Sequence, residues 1–195
     1  MGHVVVFCFT QKVSWDSLLN ENPINALVTG GAGFIGSHLV ERLLSDGHRV
    51  TVIDSFVCGS RENLAGVAHN PRLSVHEADV VQHEAIRPLF EGVDWVFHLA
   101  ALADIVPSIQ HPVRYHQANV DGTVSVLEAA RAADVKRFVY AASSSCYGVP
   151  DDFRLTIQRT ANQTSPISRT RTITTPPTDL LAKVPQLVST VKFRG

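Results

Sequence analysis

Three glycines and one carboxylate are the residues whose types and spacing can do chemistry in this chain. Gly31, Gly33 and Gly36 fit G-x-G-x-x-G within Thr29-Gly30-Gly31-Ala32-Gly33-Phe34-Ile35-Gly36. Asn25 to Thr29 reads as an apolar strand before the glycines. Phe34 to Ser45 reads as a helix after them, with Ile35, Leu39 and Leu43 on one stripe and Gly47 as its stop. A glycine turn there lets the backbone approach a pyrophosphate, and Gly36 lets the helix pack closely on the strand. The helix start offers unpaired N–H groups and about half a positive charge to phosphates. Asp54 follows the second strand, 18 residues past Gly36. A carboxylate there accepts hydrogen bonds from both hydroxyls of an adenosine ribose and repels a 2′-phosphate, so NAD is favoured over NADP. The bland alternative is a glycine-rich turn without a ligand. The order strand, glycines, helix, strand, Asp argues against it. No Gly-Lys-Ser/Thr follows, which excludes a P-loop.

The elements that position these residues alternate along the chain. Strands are expected at Arg49 to Ile53, Arg72 to Ala78, Asp94 to Leu99 and Lys136 to Ala141. Helices are expected at Gln82 to Phe90, kinked or ended by Pro88, and at Val113 to Ala132, with Val120, Val124 and Leu127 on one side. Strands apolar on both faces, separated by helices, imply a Rossmann-type doubly wound α/β fold with a parallel sheet, here incomplete.

The chain has 195 residues and a net charge of −1, with 45% apolar residues. That composition gives a globular core and no general nucleic-acid binder, since no basic excess exists to neutralise phosphates. The run Val4 to Phe9 is far short of a membrane span and has no basic lead-in, so neither an anchor nor a signal peptide is expected. Cys8, Cys58 and Cys146 are odd in number and far apart. They read as free thiols of a cytoplasmic protein, without disulfides or zinc. The scattered histidines give no metal pattern. His98, at a strand end, reads as a core residue rather than a cofactor contact.

Three segments are expected. Residues 1–24 are an N-terminal extension without an assigned role, in which Val4 to Phe9 can form a short buried strand. Residues 25–152 are the NAD-binding domain. Residues 153–195 are an irregular tail rich in Thr and Pro. From Arg154 onward seven basic residues stand against one acid, Asp179, which leaves +6 there. The charges are scattered, so a nucleic-acid role is disfavoured.

Beyond the glycine turn, four more stretches occur in order: Asp79-Val80, His98-Leu99-Ala100-Ala101, Asn119-Val120-x-Gly122-Thr123 and Tyr140 to Gly148. Together with the turn they resemble the extended short-chain dehydrogenase/reductases. Within these they resemble the NAD-dependent nucleotide-sugar epimerase/dehydratase group, in a UDP-glucose 4-epimerase-like form. The resemblance covers about residues 25 to 152. It reads the glycines as Gly30, Gly33 and Gly36. It implies cofactor contacts at these and at Phe34, Ile35, Asp54, Asp79, Val80, Leu99, Ala100, Ala101 and Asn119. It also implies a hydroxyl at Ser143 that holds the reacting sugar hydroxyl, and no metal. The chemistry implied is transient hydride transfer to NAD from a nucleotide-sugar, in a protein that pairs through the Gln82 to Phe90 and Val113 to Ala132 helices.

One departure bears on activity. The group's Tyr-x-x-x-Lys supplies the base and the Lys that lowers its pKa. Tyr115, Tyr140 and Tyr147 are the only tyrosines, and Asn119, Ser144 and Asp151 stand four residues after them. A substrate domain of roughly another 150 residues is also missing, so truncation after about residue 152 is expected. Losing the C-terminal strands is expected to bare a parallel sheet edge. Two readings therefore stand: an epimerase/dehydratase by descent, or a non-catalytic dinucleotide-binding module or inactive fragment.

Overall fold

The structure is a computed structural model that describes residues 3–7 and 23–141. Six parallel strands form one sheet: β1 (His3–Phe7), β2 (Asn25–Thr29), β3 (Arg49–Asp54), β4 (Leu73–Glu77), β5 (Trp95–His98) and β6 (Arg137–Ala141). Their spatial order is β1-β6-β5-β2-β3-β4. The chain steps outward from β2 to β3 to β4, then returns to the other side of β2 for β5 and β6. That reversal between β2 and β5 is the switch point of a doubly wound sheet.

Alternation along the central strands divides the interior into two layers. Ala26, Val28, Val52 and Phe97 face one side, where Val40, Leu43 and Leu44 of α1 (Phe34–Ser45) and Leu64 of a 3₁₀ turn (Arg61–Val67) cover them. Leu27, Ile53, Val96 and Phe138 face the other. There they meet Ile86 of α2 (His83–Ile86), Phe90, and Val126, Leu127 and Ala130 of a later helix, Gly122–Ala132.

Helix α1 ends as its glycine dictates. Gly47 has φ +94°, and the N–H groups of Gly47 and His48 donate to the carbonyls of Leu44 and Leu43. This is a Schellman closure. The buried stripe of α1 differs from the expected one. Gly36, Ser37, Val40, Leu43 and Leu44 are buried, whereas Ile35 is 63% exposed. The first turn is apolar on two sides, and the side that carries the side-chain-free Gly36 is the one that can press against the sheet.

The expected helix at Gln82 to Phe90 is α-helical to Ile86 and becomes a 3₁₀ turn over Arg87–Phe90, where Pro88 stands. Ile105–Gln110, an unexpected short helix, is α3. The long helix expected from Val113 begins at Pro112 and is a composite. It comprises α4 (Pro112–His116), a π-helical segment (Gln117–Asp121) and α5 (Gly122–Ala132).

The largest difference is at the N-terminus. The extension left without an assigned role supplies β1, whose backbone runs parallel to β6 with His3 opposite Arg137 and Phe7 opposite Ala141. The bared edge expected beside the fifth strand is therefore occupied. The short strand allowed at Val4 to Phe9 is therefore present at His3–Phe7, and only its pairing was beyond sequence, because the partner strand lies more than 130 residues away. The expected tail, 153–195, lies outside the described residues.

Candidate dinucleotide site

The site is built at the carboxyl ends of the strands, around the switch point. Thr29 ends β2 fully buried, and the chain then turns through Gly30 at φ +69°. A Cβ on Gly30 would lie 2.7 Å from the Ala100 nitrogen, and one on Gly36 would lie 2.1 Å from the Gly30 carbonyl oxygen. These two glycines therefore serve close backbone packing. Gly33 differs: a Cβ there would meet only the Gly30 oxygen, at 3.2 Å, and Gly33 lines the cleft. It is the glycine past which a ligand can approach.

Helix α1 starts at Phe34 with Gly33 as its N-cap residue, and no side chain caps it among the described residues. The Ser37 N–H is the first to find the helix, on the Gly33 carbonyl. The amides ahead of it are the orphan donors that every helix start leaves, with the positive end of the helix dipole behind them.

Asp54 ends β3 and is 7% exposed. Its Oδ2 accepts the Ala32 N–H at 2.9 Å and its Oδ1 accepts the Phe56 N–H at 2.8 Å. A carboxylate offers about four lone-pair positions. One backbone donor on each oxygen orients the group and leaves acceptor capacity for two more donors, the number a ribose diol supplies. The Ala32 carbonyl in turn accepts the Ser60 N–H at 3.0 Å and the Asn63 amide at 2.7 Å. The loop after β3 is thus stitched to the glycine turn. Gly59 permits this contact, since a Cβ there would lie 2.9 Å from Asp54 Oδ2. Ser60, Asn63 and Gly59 were missed in the sequence; a lone Gly five residues after the carboxylate was the available signal.

On the far side of the cleft, β5 ends in His98, buried and bonded at both ring nitrogens. The Thr123 hydroxyl donates to the Asn119 carbonyl at 2.6 Å, so it must accept from His98 Nε2–H at 3.0 Å. His98 Nδ1 then accepts from the Thr29 hydroxyl at 2.7 Å, and Thr29 Oγ1 accepts the Ala100 N–H at 3.3 Å. One neutral tautomer satisfies the whole chain of bonds. Burial pushes the imidazole pKa down to about 4. The core reading of His98 holds: it ties three elements together beneath the loop Leu99 to Leu102. Asn119 holds the same loop from above, since its amide accepts the Leu102 N–H at 2.8 Å and donates to the Leu102 carbonyl at 2.9 Å. Asn119 lies in the π-helical segment, where the widened turn re-aims side chains.

The cleft enclosed by these parts is about 240 Å³. That is a little below the ~300–1,000 Å³ of typical small-molecule clefts and cavities. Of the expected cofactor residues, Gly30, Gly33, Asp54, Asp79 and Val80 line it. Leu99, Ala100 and Ala101 do so from the opposite side. Phe34, Ile35, Gly36 and Asn119 are not in its wall. Phe34 and Ile35 stand exposed at the helix head, Gly36 packs beneath the turn, and Asn119 acts through Leu102. One Asp79 oxygen holds the Val81 N–H. Ser143 lies outside the described residues. Val57, Cys58, Arg114 and Gln117, unexpected from sequence, complete the rim. Among the described residues no three of His, Cys, Asp and Glu cluster as metal ligands, and no helix is long and apolar enough to cross a membrane.

Residues 26–173 match the NAD dependent epimerase/dehydratase family. The chain belongs to that family. The match runs past Asp152, where the resemblance was expected to stop. UDP-glucose 4-epimerase of Yersinia enterocolitica is 34% identical over 137 residues, which are 68% of this chain and 41% of that protein. UDP-glucuronic acid decarboxylase 1 of Arabidopsis thaliana is 39% identical over 65% of this chain and 28% of its own length. A dTDP-glucose 4,6-dehydratase from Streptomyces venezuelae, solved with NAD bound, superposes with a TM-score of 0.66 at 31% identity. That superposition covers 85% of this chain and 52% of the dehydratase. The chain spans less than half the length of the epimerase and decarboxylase relatives named here.

Proposed function

We propose that this chain is the NAD-holding part of a nucleotide-sugar epimerase or dehydratase, and that these 195 residues bind NAD without completing a reaction. The observation that carries the reading is Asp54: a buried carboxylate, oriented by one backbone N–H on each oxygen, in the same cleft as Gly33 and the uncapped start of α1. The amides at the head of α1 would hold the diphosphate. Asp54 would accept the adenosine ribose hydroxyls, and Asp79 and Val80 would border the adenine. The Leu99 to Leu102 loop would support the nicotinamide half. NAD, when bound, supplies the hydride acceptor; this chain's residues bind it and orient it.

Ser143 is proposed to hold the reacting sugar hydroxyl. The sequence provides no Tyr with a Lys four residues later. A positioned base contributes about 10²–10⁴-fold, so these 195 residues, which carry no such Tyr and Lys pair, are expected to turn over near background. A homodimer is part of the proposal. Val113, 69% exposed on a helix expected to pair, is the apolar surface that supports it, with Ile105, Val106 and Ile109 exposed on α3 before it. No nucleic-acid or membrane partner is proposed, and a cytoplasmic setting fits the three scattered cysteines.

Calorimetric titration with NAD tests the binding claim: saturable one-to-one binding is expected, and no binding at millimolar NAD makes the chain an inert fragment. Incubation with UDP-glucose and NAD is expected to yield no UDP-galactose and no 4-keto sugar. Robust turnover would overturn the inactive reading. Sedimentation is expected to show a dimer, and a monomer at all concentrations removes that element.

A further inference from the structure

Phe56 is a bulky residue in the left-handed region, with φ +56°. L-residues with a Cβ avoid that region, and an aromatic residue there needs outside support. The conformation has a consequence at the site: it lets the Phe56 N–H donate to Asp54 Oδ1 across an Asx-type turn. Support comes from the start of the next 3₁₀ turn. The Arg61 guanidinium carbon lies 4.3 Å from the centre of the Phe56 ring. Arg61 is itself anchored by the Glu77 carboxylate at the end of β4, and Glu77 is the register partner of Asp54. The contacts form a closed circuit from Asp54 through Phe56, Arg61 and Glu77 back to the neighbouring strand.

We propose that Arg61 is a positioning residue for the ribose-binding carboxylate: anchored on Glu77, it holds the Phe56 ring and so keeps the Phe56 N–H on Asp54. Arg61 is absent from the cleft wall and acts through Phe56. The inference deepens the NAD-binding reading and rests on it for its effect on affinity, but the circuit itself exists without ligand.

The test uses the whole 195-residue chain and two readouts. The first needs no NAD: amide hydrogen exchange at Phe56 is expected to be faster in Arg61→Ala than in the unchanged protein, while amides of β2 stay protected. The second is calorimetry with NAD. Arg61→Ala is expected to weaken binding roughly two- to five-fold, the range that an exposed cation–π contact supplies. Arg61→Lys is expected to recover part of the loss. Phe56→Gly decides the route. Glycine adopts positive φ without strain and has no ring to hold, so adding Arg61→Ala to it is expected to cause no further loss. Glu77→Gln, which weakens the anchor, is expected to shift affinity in the same direction as Arg61→Ala.

Equal loss from Arg61→Ala in the Phe56→Gly background shows that Arg61 acts through its charge alone, and overturns the proposal. So does unchanged exchange at Phe56, or tighter NAD binding by Glu77→Gln. If the unchanged chain binds no NAD, the cofactor reading fails, and the Phe56 exchange rate alone decides whether Arg61 holds the turn.

Discussion

His98 makes the stability of this domain depend on pH in a window set by its burial. The ring is 1% exposed and neutral, with Thr29 and Thr123 on its two nitrogens. Its pKa falls from 6.5 to about 4 in the folded state. Below pH 6.5 the unfolded chain takes up a proton that the folded chain refuses. Stability is therefore full above about pH 6.5 and is lost as pH falls toward 4. The whole loss is about 3 kcal/mol at 1.36 kcal/mol per pH unit, and about 2 kcal/mol of it has gone by pH 5. Against a domain stability of about 5–15 kcal/mol that is a large fraction.

His98→Phe isolates the effect. It keeps a ring in the core and removes both hydrogen bonds and the titration. At pH 8 it should destabilise by about 1–3 kcal/mol, because the Thr29 hydroxyl loses its acceptor and Thr123 its donor. Between pH 6.5 and 4 it should flatten the decline. His48, whose pKa is also lowered by burial and by Arg72 against the pull of Asp46, leaves a residual slope of the same sign. Urea midpoints at pH 8, 6.5, 5 and 4 for both proteins measure this. If His98→Phe loses stability with pH as steeply as the unchanged chain, the titration does not belong to His98 and the bonding scheme is wrong.

Gly36→Ala places a Cβ 2.1 Å from the Gly30 carbonyl, backbone against backbone, so the turn must open. A loss of about 1–3 kcal/mol in urea midpoint and the disappearance of NAD binding are expected; an unaltered midpoint with full binding would show that the turn is not close-packed. Deleting residues 1–22 removes β1 and bares the β6 backbone. Light scattering should then report larger assemblies than the full chain forms, and a deletion protein of the same size and solubility would show that β1 does not protect the edge.

Local chemistry was legible in the sequence, and long-range placement was not. The turn at Gly30, Gly33 and Gly36 was recognisable because a tight strand-to-helix turn constrains residue type, and Asp54 was placed in the same cleft by the strand that follows. The sheet followed, because strands buried on two faces have little choice of architecture. What stayed hidden was set by distant partners. The place of β1 beside β6 has no local signal. The π-helical turn that aims Asn119 at Leu102 looks like ordinary helix in sequence. The stripe of α1 was misplaced because Ile35 is apolar yet exposed. Asp54 reads in the sequence as a ribose acceptor, and the structure adds that it joins two loops through Ala32 and Phe56. That structural role cannot be seen without coordinates.

The most direct measurement is calorimetric titration of the unchanged chain and Asp54→Asn with NAD and with NADP. The account predicts that the unchanged chain takes NAD at least about ten-fold more tightly than NADP, since a charged hydrogen bond is worth roughly 1.5–3 kcal/mol and a 2′-phosphate would face the Asp54 carboxylate. Asp54→Asn should weaken NAD binding by a similar factor and narrow the gap. Equal affinities for the two dinucleotides, or an Asp54→Asn protein that holds NAD as tightly as before, would contradict it.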